Sequence, residues 1–222
     1  MAINLQKGQT IDLRKNASGG EYNLSKVTMG LGWDVRKKES GGFLGKLFAP
    51  KEEEYDLDAI AFLLDENEKV ADLGRTVQAN GNNMGLVGGD VIFFNSLQHP
   101  SGNIWLTGDN RTGAGDGDDE QIIVKLDDLD QKYKKILFIV SIYQGRKNNQ
   151  HFGMIDNAFI RAVDATGKEI TKYSLSGDST LNGMCSMVFA EAYRKDGGWK
   201  FRAIGEPQQT DSFIEILKKY AY

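Results

Sequence analysis

An acidic, glycine-rich segment, GDNRTGAGDGDDE at 108–120, is the part of the chain best suited to chemistry. Its carboxylate and amide oxygens come from Asp109, Asn110, Asp116, Asp118, Asp119 and Glu120. Two unit charges 4 Å apart repel by about 4 kcal/mol at an effective dielectric of about 20, so a folded loop in which several carboxylates converge is unfavourable without a cation. The glycines allow curvature that turns peptide carbonyls toward the same point. The segment therefore predicts a cation site, and a solvated acidic turn is the alternative.

The donor set favours calcium. Every donor is an oxygen, and Ca²⁺ takes six to eight oxygens in flexible geometry, whereas Mg²⁺ requires an octahedron and keeps waters. Mg²⁺ is therefore the less favoured ion, and zinc is disfavoured because the chain has two His and one Cys without ligand spacing. An EF-hand is excluded: Asp109 and Glu120 would occupy its first and last positions, but Arg111 and Gly113 would stand where oxygen ligands are needed.

A second pair of carboxylates, Asp56 and Asp58, begins an apolar segment that is typical of a strand. Residues two apart on a strand point to the same side, so both carboxylates reach one site if the acidic segment folds across that strand end. Together with the acidic segment they supply more negative charge than one divalent ion neutralises. We therefore expect two Ca²⁺ ions.

The rest of the chain has the pattern of a β-rich protein. The 26 Gly and three Pro indicate many tight turns, and the length and composition favour one domain over residues 1–222. Strands are predicted at 26–33, 55–65, 91–94, 103–107, 121–126, 136–143, 158–164, 169–175, 185–193 and 199–204. Asp196-Gly197-Gly198 predicts a hairpin turn. A short helix is predicted over Asp127–Lys135, and an amphipathic helix over Asp211–Tyr222 with Asp211 as its N-cap. The stretch 36–54 has the composition of an inserted surface loop.

Charge and cysteine content exclude several classes of protein. The net charge is −4, and eight of the acids lie between 109 and 130, so nucleic acid is not an expected partner. The single cysteine, Cys185, forms no intrachain disulfide, and neither a signal peptide nor a membrane-spanning run is visible, so we expect a cytoplasmic protein. Cys185 lies in an apolar strand pattern and both His lie in polar loops, which predicts a binding module instead of an enzyme.

Several motifs together resemble the TerD-type tellurium-resistance and stress-response family. They are GLGWD at 30–34, DLDA at 56–59, the acidic segment at 108–120, NAFIR at 157–161, MVFAEAYR at 187–194 and GWKFRAIG at 198–205. The resemblance covers nearly the whole chain and implies a two-sheet β-sandwich with a few short peripheral helices. It also implies calcium ligands among the two acidic groups above. GLGWD would then add backbone carbonyls or fix the acidic loop, with Asp34 as a weaker ligand candidate.

The resemblance also implies a role in resistance to tellurite and other damaging agents. The partners implied are proteins of a stress-response complex, for which the inner membrane surface is one place of assembly. Two alternatives stay open at this point. The chain could bind a nucleotide such as cAMP, as a eukaryotic branch of the family is described to do, although GLG alone is weak evidence for phosphate binding. It could also use paired metal ions to act on phosphoesters.

Overall fold

Two six-stranded sheets face each other in the computed structural model, which describes residues 2–15, 19–35, 55–78, 84–107, 117–175 and 179–222. In chain order the strands of these ranges are β1 (Ile3–Leu5), β2 (Thr10–Asp12), β3 (Val27–Val35), β4 (Leu57–Leu64), β5 (Arg75–Gln78), β6 (Met84–Val87), β7 (Val91–Ile92), β8 (Ile104–Leu106), β9 (Glu120–Val124), β10 (Lys135–Ile142), β11 (Ile155–Val163), β12 (Glu169–Leu175), β13 (Ser186–Lys195) and β14 (Gly198–Gln208). Two short helices, α1 (Gly145–Asn148) and α2 (Phe213–Leu217), lie at the periphery. The predicted β-sandwich with a C-terminal helix is confirmed.

The sheets are almost wholly antiparallel. The first sheet has the order β1-β12-β11-β3-β9-β8, and the second sheet has the order β2-β14-β13-β10-β4-β7. Strands β5 and β6 form a separate hairpin, and the β1–β12 pairing is parallel. Strands β3 and β9 of the first sheet and β4 of the second carry the acidic groups of interest, so their edges and faces determine the candidate site.

Side chains at alternate positions of the strands form the hydrophobic core. Val27, Met29 and Leu31 on β3 point into the space between the sheets, where they meet Leu57 and Ala59 of β4. The opposite face of the second sheet is also covered: Ile60 and Phe62 pack there with Ile216 and Leu217 of α2. Strand β4 is therefore buried on both faces, whereas glycines 30 and 32 of β3 lie on the outer face of the first sheet.

The predicted turn at the β13–β14 hairpin is confirmed. Lys195 pairs with Gly198, and the two residues between them have positive φ, 53° for Asp196 and 74° for Gly197. Two consecutive left-handed residues are the geometry of a type I′ turn, which matches the twist of antiparallel strands and favours Asp-Gly.

The predicted helix over Asp127–Lys135 is wrong, since this segment is a series of turns. Arg194 donates to the carbonyls of Leu129 and Tyr133 at 2.7 and 3.0 Å, and the Trp199 indole donates at 3.0 Å to the carbonyl of Leu126, which precedes the segment. In a helix the Leu129 carbonyl would accept the Tyr133 N–H, which here donates to the Asp130 carbonyl at 3.1 Å. The tertiary hydrogen bonds therefore override the local helical pattern.

The C-terminal helix is shorter than predicted, and its N-cap lies one residue later than the predicted cap. Ser212 occupies the N-cap position of α2, and the Asp211 carboxylate instead accepts a hydrogen bond from the backbone N–H of Arg146 at 3.0 Å. The predicted insertion at 36–54 lies outside the described residues. Within the described ranges no helix is both long enough and apolar enough to cross a membrane.

Candidate metal centre

Five of the eight predicted ligands lie in described parts of the chain: Asp56, Asp58, Asp118, Asp119 and Glu120. Asp109, Asn110 and Asp116 lie outside them. The three consecutive acids 118–120 lead into β9, which pairs with β3 so that Glu120 is opposite Leu31. Because neighbouring residues of an extended chain point to opposite sides, these acids reach different surroundings.

Glu120 connects the two sheets. Its side chain shares the inward face with Leu31, it is 2% exposed, and its Oε2 accepts the backbone N–H of Ala59 on β4 at 2.5 Å. In the described structure β7 pairs with β4 only at Ala61 and Phe62, so Ala59 lies on a stretch of β4 edge that this strand leaves uncovered. The Glu120 carboxylate thus takes the place of a strand neighbour at this point.

The aspartates of β4 lie beside that contact. Asp58 precedes Ala59, lies opposite Ser141 of β10 and is 9% exposed. It shares the outer face of the second sheet with Ile60 and Phe62. Asp56 comes just before the strand, and its carbonyl accepts the backbone N–H of Tyr143 at 2.8 Å. The Glu120 carboxylate therefore lies against the backbone of the residue that follows Asp58.

Asp119 is bound to the backbone of GLGWD. Its N–H donates to the Leu31 carbonyl at 2.8 Å, and its Oδ2 accepts the N–H of Trp33 at 3.0 Å. Burial raises the pKa of Asp119 above its usual value; the Trp33 hydrogen bond opposes that rise, and the charges of Asp34 and Asp118 add to it. The GLGWD backbone thus fixes the acidic segment at this point.

Asp118 faces a different side of the molecule. Its Oδ1 accepts from Nε of Arg161 at 2.7 Å, its Oδ2 accepts from Nε2 of Gln121 at 3.2 Å, and its side chain is 2% exposed. The carboxylate lies over Gly30, on the outer face of the first sheet, where an added Cβ would approach Oδ2 to 2.1 Å. Asp118 is therefore held away from Glu120 by an ion pair.

Three supporting residues were not predicted from the sequence alone. Arg161 pairs with Asp118, Asn157 donates from Nδ2 to Oδ2 of Asp34 at 2.9 Å, and Phe159 covers Gly32, where an added Cβ would lie 2.4 Å from the ring. All three belong to NAFIR, at alternate positions of β11. Their spacing of two was the available signal, because it places them on one face, but only the register with β3 reveals what that face contacts.

The donor set is suited to a hard cation, although the described residues alone do not complete a site. Within the described ranges, no group of three or more His, Cys, Asp or Glu side chains could hold a metal ion. The carboxylates that lie near the β4 edge offer oxygen donors only, which suit Ca²⁺ or Mg²⁺ better than zinc. A complete coordination shell would need the donors of Asp109, Asn110 or Asp116.

Comparisons with known proteins agree with this arrangement of motifs. The family model of the TerD domain matches residues 1–220. The chain is 59% identical to tellurium resistance protein TerX of Serratia marcescens over 99% of this chain and 100% of that one. It is 39% identical to a stress response protein of Bacillus subtilis (strain 168), over 99% and 100% of the two chains. The crystal structure of a homologue of telluride resistance protein (TerD) from Streptomyces coelicolor superposes with a TM-score of 0.57 at 21% identity, covering 86% of this chain and 95% of that one, and thus shows the same fold.

Proposed function

The chain belongs to the TerD domain family, and on that premise we propose that it is a calcium-binding protein of the bacterial response to tellurite and related stress. The relatives named for tellurium resistance and stress response align over nearly their whole length, which supports the biological role. Its molecular role is that of a calcium-stabilised binding or scaffold module.

One observation carries the calcium proposal: the nearly inaccessible Glu120 carboxylate reaches the uncovered edge of β4 next to Asp58. Glu120 and Asp58 bring carboxylates to two neighbouring residues of β4, and carboxylate oxygens are the ligands that Ca²⁺ takes. The ligands would come from Asp56, Asp58, Asp119 and Glu120, together with Asp109, Asn110 and Asp116 of the preceding segment. Calcium would supply positive charge there, and it would strengthen the contact between the two sheets.

The surroundings of two candidate nucleophiles, Cys185 and Ser101, favour a binding role over an enzymatic one. Burial raises the pKa of the Cys185 thiol, the charge of Asp211 raises it further, and Arg146 opposes the rise, so the protonated and less nucleophilic form is favoured. Ser101, His99 and Asp90 have the composition of a hydrolase triad, and Nδ1 of His99 lies 2.7 Å from Oγ of Ser101 while its Nε2 lies 3.1 Å from Oδ1 of Asp90. However, the Ser101 amide donates to Nδ1 of His99 at 3.0 Å, and the Gly102 amide donates to the His99 carbonyl at 2.9 Å. His99 thus stabilises its own turn.

We propose that the calcium-bound module acts in the cytoplasm on protein partners of a stress-response complex, with the inner membrane surface as one place of assembly. Nucleic acid is not a proposed partner, because the charge of the chain is −4. A rigid surface beside β4 would recognise those partners, since bound calcium reduces the ordering cost of binding.

The test is a calcium titration by calorimetry on metal-stripped protein, with Mg²⁺ as competitor. We expect two Ca²⁺ ions to bind, and Asp56→Asn combined with Asp58→Asn to weaken that binding at least tenfold. Asp127→Asn combined with Asp128→Asn is the matched control, because it makes the same change in charge on two exposed side chains. Calcium at 100 times its Kd should stabilise the fold by about 2.7 kcal/mol for each ion bound. Unchanged affinity in the Asp56/Asp58 variant would refute the proposal, and a stoichiometry of one would refute the two-ion form.

Nucleotide binding is the second candidate, favoured by a surface cavity of about 390 Å³ lined by Leu97, Gln98, Gly102, Trp105, Leu106 and Lys125. The Lys125 ammonium lies 5.9 Å from the centre of the Trp105 ring. An aromatic face beside a cation suits a nucleobase and a phosphate. A cAMP titration of the wild-type chain and of Trp105→Ala tests this candidate: equal heats in the two proteins would exclude this cavity. Turnover of a phosphodiester with Ca²⁺ or Mg²⁺ would instead indicate an enzyme.

A further inference from the structure

We infer that Arg161 is a positioning residue for the proposed calcium site, and that Asp118 is its anchor instead of a calcium ligand. The inference rests on the proposed function, because it concerns how the same acidic segment is held. Arg161 lies on the outer face of the first sheet, whereas Glu120 points into the space between the sheets. Arg161 therefore acts through the chain that leads from residue 118 to residue 120.

The ion pair crosses a whole strand. Arg161 is on β11 and Asp118 leads into β9, and β3 lies between these strands. In the register of the sheet, Gly30 of β3 lies opposite both Arg161 and Gln121, so it occupies the crossing point. A side chain at Gly30 would occupy the position of the Asp118 carboxylate, since an added Cβ would lie 2.2 Å from its Cγ. The absence of a side chain at residue 30 is what permits the pair.

Arg161 is itself held in place. Its Nη1 lies 3.1 Å from Oε2 of Glu169 on β12, while its Nε lies 2.7 Å from Oδ1 of Asp118. The guanidinium is thus fixed from both sides, which limits the positions available to Asp118.

Three consecutive residues are then tied to three separate elements. Asp118 is bound to β11 through Arg161, Asp119 to the β3 backbone at Leu31 and Trp33, and Glu120 to β4 at Ala59. The attachments of Asp119 and Glu120 position these two side chains without any ion. The attachment of Asp118 fixes where the segment begins. Ligands that are ordered before binding give higher affinity, since less conformational freedom is lost when the ion binds.

Asp118 has the surroundings of an anchor. Both of its oxygens accept hydrogen bonds, from Arg161 and from Gln121, and a guanidinium 2.7 Å away repels a cation. The two roles predict opposite results when Arg161 is removed. If Asp118 were a ligand, loss of the competing positive charge would tighten calcium binding; if Asp118 is an anchor, loss of Arg161 loosens the segment and weakens it.

The experiment is a titration with calcium alone of the metal-stripped full chain as wild type, Arg161→Gln, Asp118→Asn and the double variant. Arg202→Gln is the matched control, because Arg202 pairs at 2.6 Å with Glu191, a carboxylate that is also buried at 3% exposure, on the second sheet. We expect each single substitution at 161 or 118 to raise the calcium Kd about tenfold or more. The double variant should match the single ones, because both substitutions break the same contact.

The controls separate positioning from general destabilisation. Arg202→Gln should lower the melting temperature yet leave the calcium Kd within about twofold, and Arg161→Lys should restore part of the lost affinity. If Arg161→Gln does not fold, Arg161→Lys carries the test, because Asp118→Asn weakens calcium binding in either role. Tighter or unchanged calcium binding in the Arg161 variants refutes the inference alone, as does an equal loss in Arg202→Gln. A wild-type chain that binds no calcium refutes the proposed function and with it this inference.

Discussion

Gly30→Ala tests the arrangement of the acidic segment, because strand propensity and the structure predict opposite changes in stability. Alanine in the interior of a strand is favoured over glycine by about 0.5–1 kcal/mol, because glycine loses more conformational freedom on folding. The φ of Gly30 is not positive, so its backbone accepts alanine. Propensity therefore predicts a more stable protein. The structure predicts a less stable one, since the new Cβ would lie 2.1 Å from Oδ2 of Asp118.

The expected loss follows from the ion pair that the methyl group displaces. Asp118 is buried and paired with Arg161, and separating a buried carboxylate from its partner costs about 3–5 kcal/mol. For a chain of this length each kcal/mol lowers the melting temperature by about 2–4 °C. Thermal unfolding in chelator should therefore show a decrease of about 6–20 °C for Gly30→Ala.

Gly167→Ala provides the comparison. Gly167 has a φ of +84° and nothing within 4 Å of an added Cβ, so alanine there meets backbone strain without a clash. That strain costs about 1–2 kcal/mol. The reasoning fails if Gly30→Ala melts at or above the temperature of the wild type, or no lower than Gly167→Ala.

Three further predictions concern separate parts of the fold. Burial raises the pKa of Asp90, but the hydrogen bonds from His99, Tyr133 and the Asp72 amide outweigh it, so the pKa lies below its usual value. Asp90 therefore stabilises the fold above pH about 4 and loses that effect as the pH falls. Asp90→Asn should cost about 2–4 kcal/mol in urea unfolding at pH 7 and less at lower pH, and an equal cost at both would contradict this. Alkylation of Cys185 should be slow in native protein and fast in urea, because burial raises its pKa; fast labelling of native protein would show that it is accessible. Adding calcium should slow hydrogen exchange at the Ala59 amide more than at the amide of Leu63, which lies on the same strand and donates to the Asp90 carbonyl. Equal slowing at the two amides would place the ion elsewhere.

Much of the strand pattern follows from the sequence because it is set locally. Alternation in β3 and β12 and the Asp-Gly turn at 196–197 each depend on a few neighbouring residues. The boundaries of β12 agree with the prediction at both ends. Elements with weak alternation were missed, among them the exposed hairpin of β5 and β6, whose strands are four residues each.

The candidate site was predicted less completely, because it depends on register. The sequence indicates which residues are acidic, and spacing indicates that Asp56 and Asp58 share a side. It does not indicate that Gly30 lies opposite Arg161, since that pairing joins two strands far apart in the chain. The sequence therefore groups Asp118 with the ligands, and only the structure shows that its carboxylate is paired with a guanidinium.

The acids at 118–120 are consequently not interchangeable. Each carboxylate has its own attachment: a guanidinium for Asp118, a backbone N–H of β3 for Asp119 and a backbone N–H of β4 for Glu120. A neutral amide at residue 118 loses an ion pair, whereas at residue 120 it keeps an oxygen that can accept the Ala59 N–H. Equal changes in charge should thus affect calcium affinity and stability in different proportions at the three positions. Total negative charge is therefore a poorer guide to this site than the group to which each carboxylate is bound.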